Sequence, residues 1–134
     1  LSYYLALIED FKNVIMVVEP NSNNPVVPEL RKIERLKFQS LSVAEDYATL
    51  LAAKNLATSG VGTFGVSAAL CSQNIKNLFT SNAYLTEHLN CSMLYDTDVT
   101  VYEVELKDYI PVYPCSWKND AEQRKLMLEY QLSE

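Results

Sequence analysis

The first regular pattern along the chain lies at residues 3–12, where Tyr4, Leu5, Ile8 and Phe11 recur at helical spacing with Glu9, Asp10 and Lys12 between them. That spacing predicts a short amphipathic helix. Val14-Ile15-Met16-Val17-Val18 follows, β-branched except at Met16 and apolar at every position, which is the pattern of a central strand buried on both faces. Pro20-Asn21-Ser22-Asn23-Asn24-Pro25 forms a turn by composition and separates this strand from the next element. Pro28 can open a helical turn running through Arg35, and Leu36 to Leu41 then reads as a short strand.

Ser42-Val43-Ala44-Glu45 has the form of a capping box, in which the Ser42 hydroxyl takes one free backbone donor and Glu45 reaches back to another. It predicts a helix from Val43 to about Ala57, with Val43, Tyr47, Leu50, Leu51 and Leu56 apolar. After a loop from Thr58 to Gly65, helical spacing resumes over Val66 to Phe79, and Thr80-Ser81-Asn82 breaks it and caps a short helix over Ala83 to Leu89. Val99 to Leu106 alternates, with Thr100, Tyr102, Val104 and Leu106 on one face and Val101, Glu103 and Glu105 on the other. This predicts a half-exposed strand near an edge or lining a cleft. Pro111 and Pro114 exclude a central strand or helix across their segment, and Asn119 can cap a last helix from Asp120 to Leu132. Helices interleaved with a few strands predict an α/β or α+β fold: one small domain, with about five helices packed on a two- to four-stranded sheet.

With 134 residues, 49% of them hydrophobic, the chain is long enough for one real core and short for two ordinary domains. A formal charge of −6 disfavours a nucleic-acid binder or a basic membrane-surface module, since both need a cationic face. Only three glycines and five prolines exclude collagenous and linker-like classes. The longest aliphatic run, Val14 to Val18, is far below the roughly 20 residues of a membrane helix. Three cysteines at wide spacings do not form a disulfide framework, which points to a reduced, cytoplasmic or otherwise intracellular setting. The chain begins at Leu1 rather than Met, so a removed segment cannot be judged.

All three glycines fall in one motif, Gly60-Val61-Gly62-Thr63-Phe64-Gly65, a literal GxGxxG. Glycines at this spacing let a backbone turn tightly and approach phosphate, and the helix after them offers N–H groups and a positive dipole end. Gly60, Gly62 and Gly65 are therefore candidate residues for a nucleotide or phosphate ligand. Through Phe64 the loop also resembles the glycine-rich loop of protein kinases, but no lysine, HRD or DFG motif of that family accompanies it. A dinucleotide fingerprint requires a strand immediately before the first glycine. Because Leu50 to Ala57 reads as helix, the competing role is a helix C-cap, with Gly60 turning the chain into the next helix.

A second constellation joins Ser40-Leu41-Ser42, the helix after it, and Val101-Tyr102-Glu103-Val104-Glu105. It resembles the ADP-ribosyltransferase superfamily, in which a Ser-Thr-Ser strand end supports the NAD pocket and a later Glu-x-Glu places the catalytic carboxylate. The resemblance implies that Ser40 and Ser42 support a pocket for NAD, and that Glu105, with Glu103 beside it, stabilises an oxocarbenium-like centre. Leu41 stands where that family has Thr, and Arg31 or Arg35 would have to supply its early arginine. Without the resemblance, Ser42 reads as an N-cap, and Glu103 and Glu105 read as the wet side of a strand.

His88, Cys91, Cys71 and Cys115 make a conceivable Cys3His zinc set, and Cys115 with His88 a conceivable nucleophile and base. Zinc sites show two tight pairs and this set has one, so buried free cysteines are the simpler reading and no metal is expected. Arg31, Lys32, Arg35 and Lys37 form a basic cluster within an acidic chain, interrupted by Glu29 and Glu34. The cluster is either a solvated, internally paired face or a docking patch for an acidic partner. Nine Tyr against four Phe and one Trp favour interface use, and Tyr109, Tyr113 and Trp117 lie on the proline-bearing segment 109–117. No catalytic set is complete. The sequence therefore points first to a non-enzymatic interaction or regulatory domain that binds another protein or itself through Arg31, Arg35, Tyr109, Tyr113 and Trp117. The NAD-using transferase and the phosphate-binding loop stand as alternatives.

Overall fold

A computed structural model of the chain describes residues 1–58, 62–82, 93–96, 98–107, 109 and 118–132. Among them are five helices and two small, wholly parallel sheets, which makes the fold α/β. The chain divides into two compact units: Leu1–Leu41 with Cys115–Glu134, and Ser42–Pro114.

The first unit begins with helix α1 (Ser2–Asp10) and strand β1 (Val14–Val17). Helix α2 (Val26–Leu30) then leads to strand β2 (Leu36–Gln39), which pairs parallel with β1, Val14 opposite Leu36 and Val17 opposite Gln39. The apolar run does not form a central strand: Ile15 is 52% exposed, while Val14 and Met16 pack against the core of Ile8, Val26, Leu30 and Leu36. In a two-stranded sheet one face of β1 meets the core and the other does not, so apolarity at every position overstated its burial.

Helix α2 starts earlier than Pro28 and ends well before Arg35. The Asn24 side-chain carbonyl accepts the Val26 N–H at 2.9 Å and opens the turn there, while Pro28 falls in the first turn, where the N–H it lacks would have no intrahelical acceptor. Residues 31–36 descend through three-residue turns, Lys32 to Glu29, Ile33 to Leu30 and Leu36 to Ile33, directly into β2. The unit is completed by helix α5 (Ala121–Glu129), whose Met127 and Leu128 lie against the same core. Asp120 rather than Asn119 caps it, accepting the Gln123 N–H at 3.0 Å; Asn119 takes a left-handed φ of 54°.

The second unit opens with helix α3 (Val43–Ala52), whose capping box is complete. Ser42 Oγ accepts the Glu45 N–H, and the Glu45 carboxylate accepts from the Ser42 N–H. The helix stops five residues short of the expected end, because Asn55–Ala57 forms strand β3. Helix α4 (Thr63–Cys71) follows, then strand β4 (Asn77–Ser81) and strand β5 (Thr100–Val104). The expected helix over Val66 to Phe79 is thus a helix and then a strand, and the short helix expected over Ala83 to Leu89 lies outside the described residues.

Strand β4 is central. It pairs parallel with β3 (Leu56 opposite Leu78) and with β5 (Leu78 opposite Val101, Thr80 opposite Glu103). Leu56, Leu78 and Val101 therefore form one row, and this row meets Val66, Ala68 and Ala69 of α4, Leu50 and Leu51 of α3, and Ile75. Phe79 and Tyr102 occupy the opposite face, stacked at 4.9 Å between centroids, with Tyr102 47% exposed. The alternation expected of residues 99–106 is present, but the core lies on the Val101 side, so Glu103 sits on the helix-bearing face at the strand's end.

Candidate functional site

The chemistry-bearing features of the second unit gather at the carboxyl ends of its strands. Strand β3 ends at Ala57, only three positions before Gly60, so the glycine motif has the preceding strand that the helical reading of Leu50 to Ala57 denied it. Helix α4 begins at Thr63, and its chain returns as β4, parallel to β3. A strand therefore precedes the glycines in the chain, and a helix and a parallel strand follow, the context in which this glycine spacing carries meaning. A residue serving as the C-cap of α3 would have to adjoin Ala52, so that role for Gly60 is set aside.

Gly62 is the N-cap of α4, with extended backbone at φ −150° and ψ 141°. Any residue adopts that conformation, so what glycine contributes here is the absence of a side chain over the helix start. As a glycine, the N-cap residue has no side chain to cap α4, and no acidic residue stands in the first turn. A helix start carries backbone donors without intrahelical acceptors and the positive end of the dipole. Gly65 occupies the first turn itself; a Cβ added there would lie 3.9 Å from both Cα and Cγ2 of Thr58. The helix start thus lies close to the residue that follows β3, as the third glycine of such motifs permits.

Below the helix start, Thr58 Oγ1 donates to Thr80 Oγ1 at 3.0 Å, tying the ends of β3 and β4 together, with both residues buried. Sequence reasoning missed this pair; two threonines 22 positions apart carry no local signal. One residue beyond β4, the Asn82 side-chain carbonyl accepts the Leu106 N–H at 2.7 Å, and the Asn82 N–H donates to the Val104 carbonyl at 3.1 Å. Glu103 is level with Thr80 in the adjoining strand, and both Glu103 and Glu105 are exposed. Phe64, in the first turn of α4, rests against Tyr47 of α3 at 5.3 Å between centroids and keeps 41% of its surface.

The other expected site residues are less concentrated. Ser40 follows β2 in the first unit, whereas Ser42, Glu103 and Glu105 belong to the second. The Ser42 hydroxyl is spent on the capping box, donating to the Glu45 carboxylate as well as accepting from its N–H. The hydrogen bonds that the carboxylate accepts, from the Ser42 hydroxyl foremost and then from the Ser42 N–H, hold the Glu45 carboxyl below its ordinary pKa.

Three of the four residues of the basic cluster are engaged within their own unit. Arg31 lies over the Phe38 ring, 4.4 Å from its centroid, Lys32 pairs with Glu29, and Arg35 donates to the Phe11 carbonyl at 3.0 Å. Of the aromatic segment, Tyr109 is half-buried, and Tyr113 and Trp117 lie outside the described residues. Gly60 lies outside them too, as do His88, Cys91 and Cys115; Cys71 is a free, exposed thiol. Among the described residues no group of His, Cys, Asp and Glu is arranged to hold a metal ion, and no helix is long and apolar enough to cross a membrane.

Fold and site together define a small α/β protein in which glycines stand in the chain between a strand and a helix. The chain matches no known family model, no curated protein and no solved structure.

Proposed function

We propose that the second unit binds a small phosphate-bearing ligand, a nucleotide or a related phosphate ester, at Gly60–Gly65. The observation that carries this reading is strand β3 ending just ahead of the glycines, with Gly62 as the N-cap of α4 and the chain returning parallel in β4. In parallel α/β sheets ligands sit beyond the carboxyl ends of the strands, and a helix start there presents N–H groups and a positive dipole to a phosphate. The net charge of −6 does not oppose this, because the dipole acts within the first turn while distant charges are screened over about 8–10 Å at physiological salt.

Titration calorimetry with inorganic pyrophosphate and with ADP tests the reading. Gly62→Asp is the informative variant, since Asp is a good N-cap and the fold should keep its melting temperature, while the new carboxylate takes the same donors and repels phosphate. Binding weakened tenfold or more, about 1.4 kcal/mol, is the expected result. Failure of the unaltered protein to bind either probe at millimolar concentration overturns the reading, as does undiminished binding by Gly62→Asp.

A second reading, a non-catalytic domain that binds a protein partner or itself, draws support from exposed apolar side chains in the same unit: Val43 at 75%, Tyr95 at 67% and Met93 at 66%. Light scattering after size exclusion checks self-association. A dimer that Met93→Lys with Tyr95→Lys returns to monomer is the expected outcome of this reading, and a strict monomer removes its self-association form. The reading through Arg31 and Arg35 is weaker, because both guanidinium groups already have partners within the first unit.

A further inference from the structure

We draw no further inference here: the strongest candidate, the face of the three-stranded sheet that carries the stacked Phe79 and Tyr102 and the hydrogen-bonded Asn55 and Asn77 amides, is an unpartnered sheet face, and nothing in the structure shows what covers it.

Discussion

Ser42 closes the start of α3 with a complete reciprocal cap, and four consecutive residues are enough to specify it. Ser42→Ala should cost about 1 kcal/mol at neutral pH, measured by denaturant unfolding. The effect should depend on pH in a definite direction. The folded Glu45 carboxyl titrates below its unfolded value, chiefly through its side-chain hydrogen bond with Ser42. Its contribution is therefore present above the unfolded pKa, about 4.3, and is lost as pH falls through the folded pKa. The gap between Ser42→Ala and the unaltered protein should narrow below about pH 4, and an unchanged gap there would show that Glu45 takes no part. At the other end of α3 the caps are remote. Ser72 Oγ and Asn74 Nδ2 donate to the Leu51 carbonyl at 2.9 and 3.0 Å, from 21 and 23 positions away. That is why the start of α3 was legible in the sequence and its end was not.

The two strands that sequence periodicity turned into helix, β3 and β4, share a cause. Asn55-Leu56-Ala57 is too short to display alternation, and Asn77 to Ser81 continues the apolar spacing of α4 closely enough to pass for another turn. What makes them strands is pairing with partners 22 or 23 positions away, which supplies the backbone hydrogen bonds a helix would have made locally. Leu78, wholly buried in β4 between Leu56 and Val101, is the residue on which this sheet closes. Leu78→Ala should destabilise the second unit by about 2–5 kcal/mol, read as a shift in the urea midpoint. A loss below 1 kcal/mol would mean that the row of Leu56, Leu78 and Val101 is not its core. The same strands decided the candidate site. The glycine spacing was visible from the start, but its meaning hung on whether strand or helix preceded it, and that was settled by the pairing of Leu56 with Leu78.

At the scale of the whole molecule, the described residues build two hydrophobic clusters. The first unit is discontinuous: α5 returns after residues 42–114 and lays Met127 and Leu128 against the core of Ile8, Val26, Leu30 and Leu36. Arg124 fastens it by donating to the Asn23 carbonyl at 2.6 Å, and Ser2 Oγ donates to the Tyr130 carbonyl at 2.8 Å. Met127→Ala with Leu128→Ala should lower the stability of the first unit by about 1–2 kcal/mol per residue, less than for fully buried sites. Amide exchange separates the units. Faster exchange in β1 and β2 with β4 unchanged is expected, and equal acceleration in β4 would show that the two clusters unfold as one. The sequence by itself determined a fold of helices interleaved with a few strands, open between α/β and α+β, with strands expected over residues 14–18, 36–41 and 99–106, the start of α3 and the glycine spacing, because each is written within a few neighbouring residues. Only the tertiary structure decided that β3 and β4 are strands, that β1 has an exposed face, and that the glycines join a strand to a helix. Those outcomes depend on which distant segment supplies a backbone partner or a covering side chain, and a local pattern does not encode that choice.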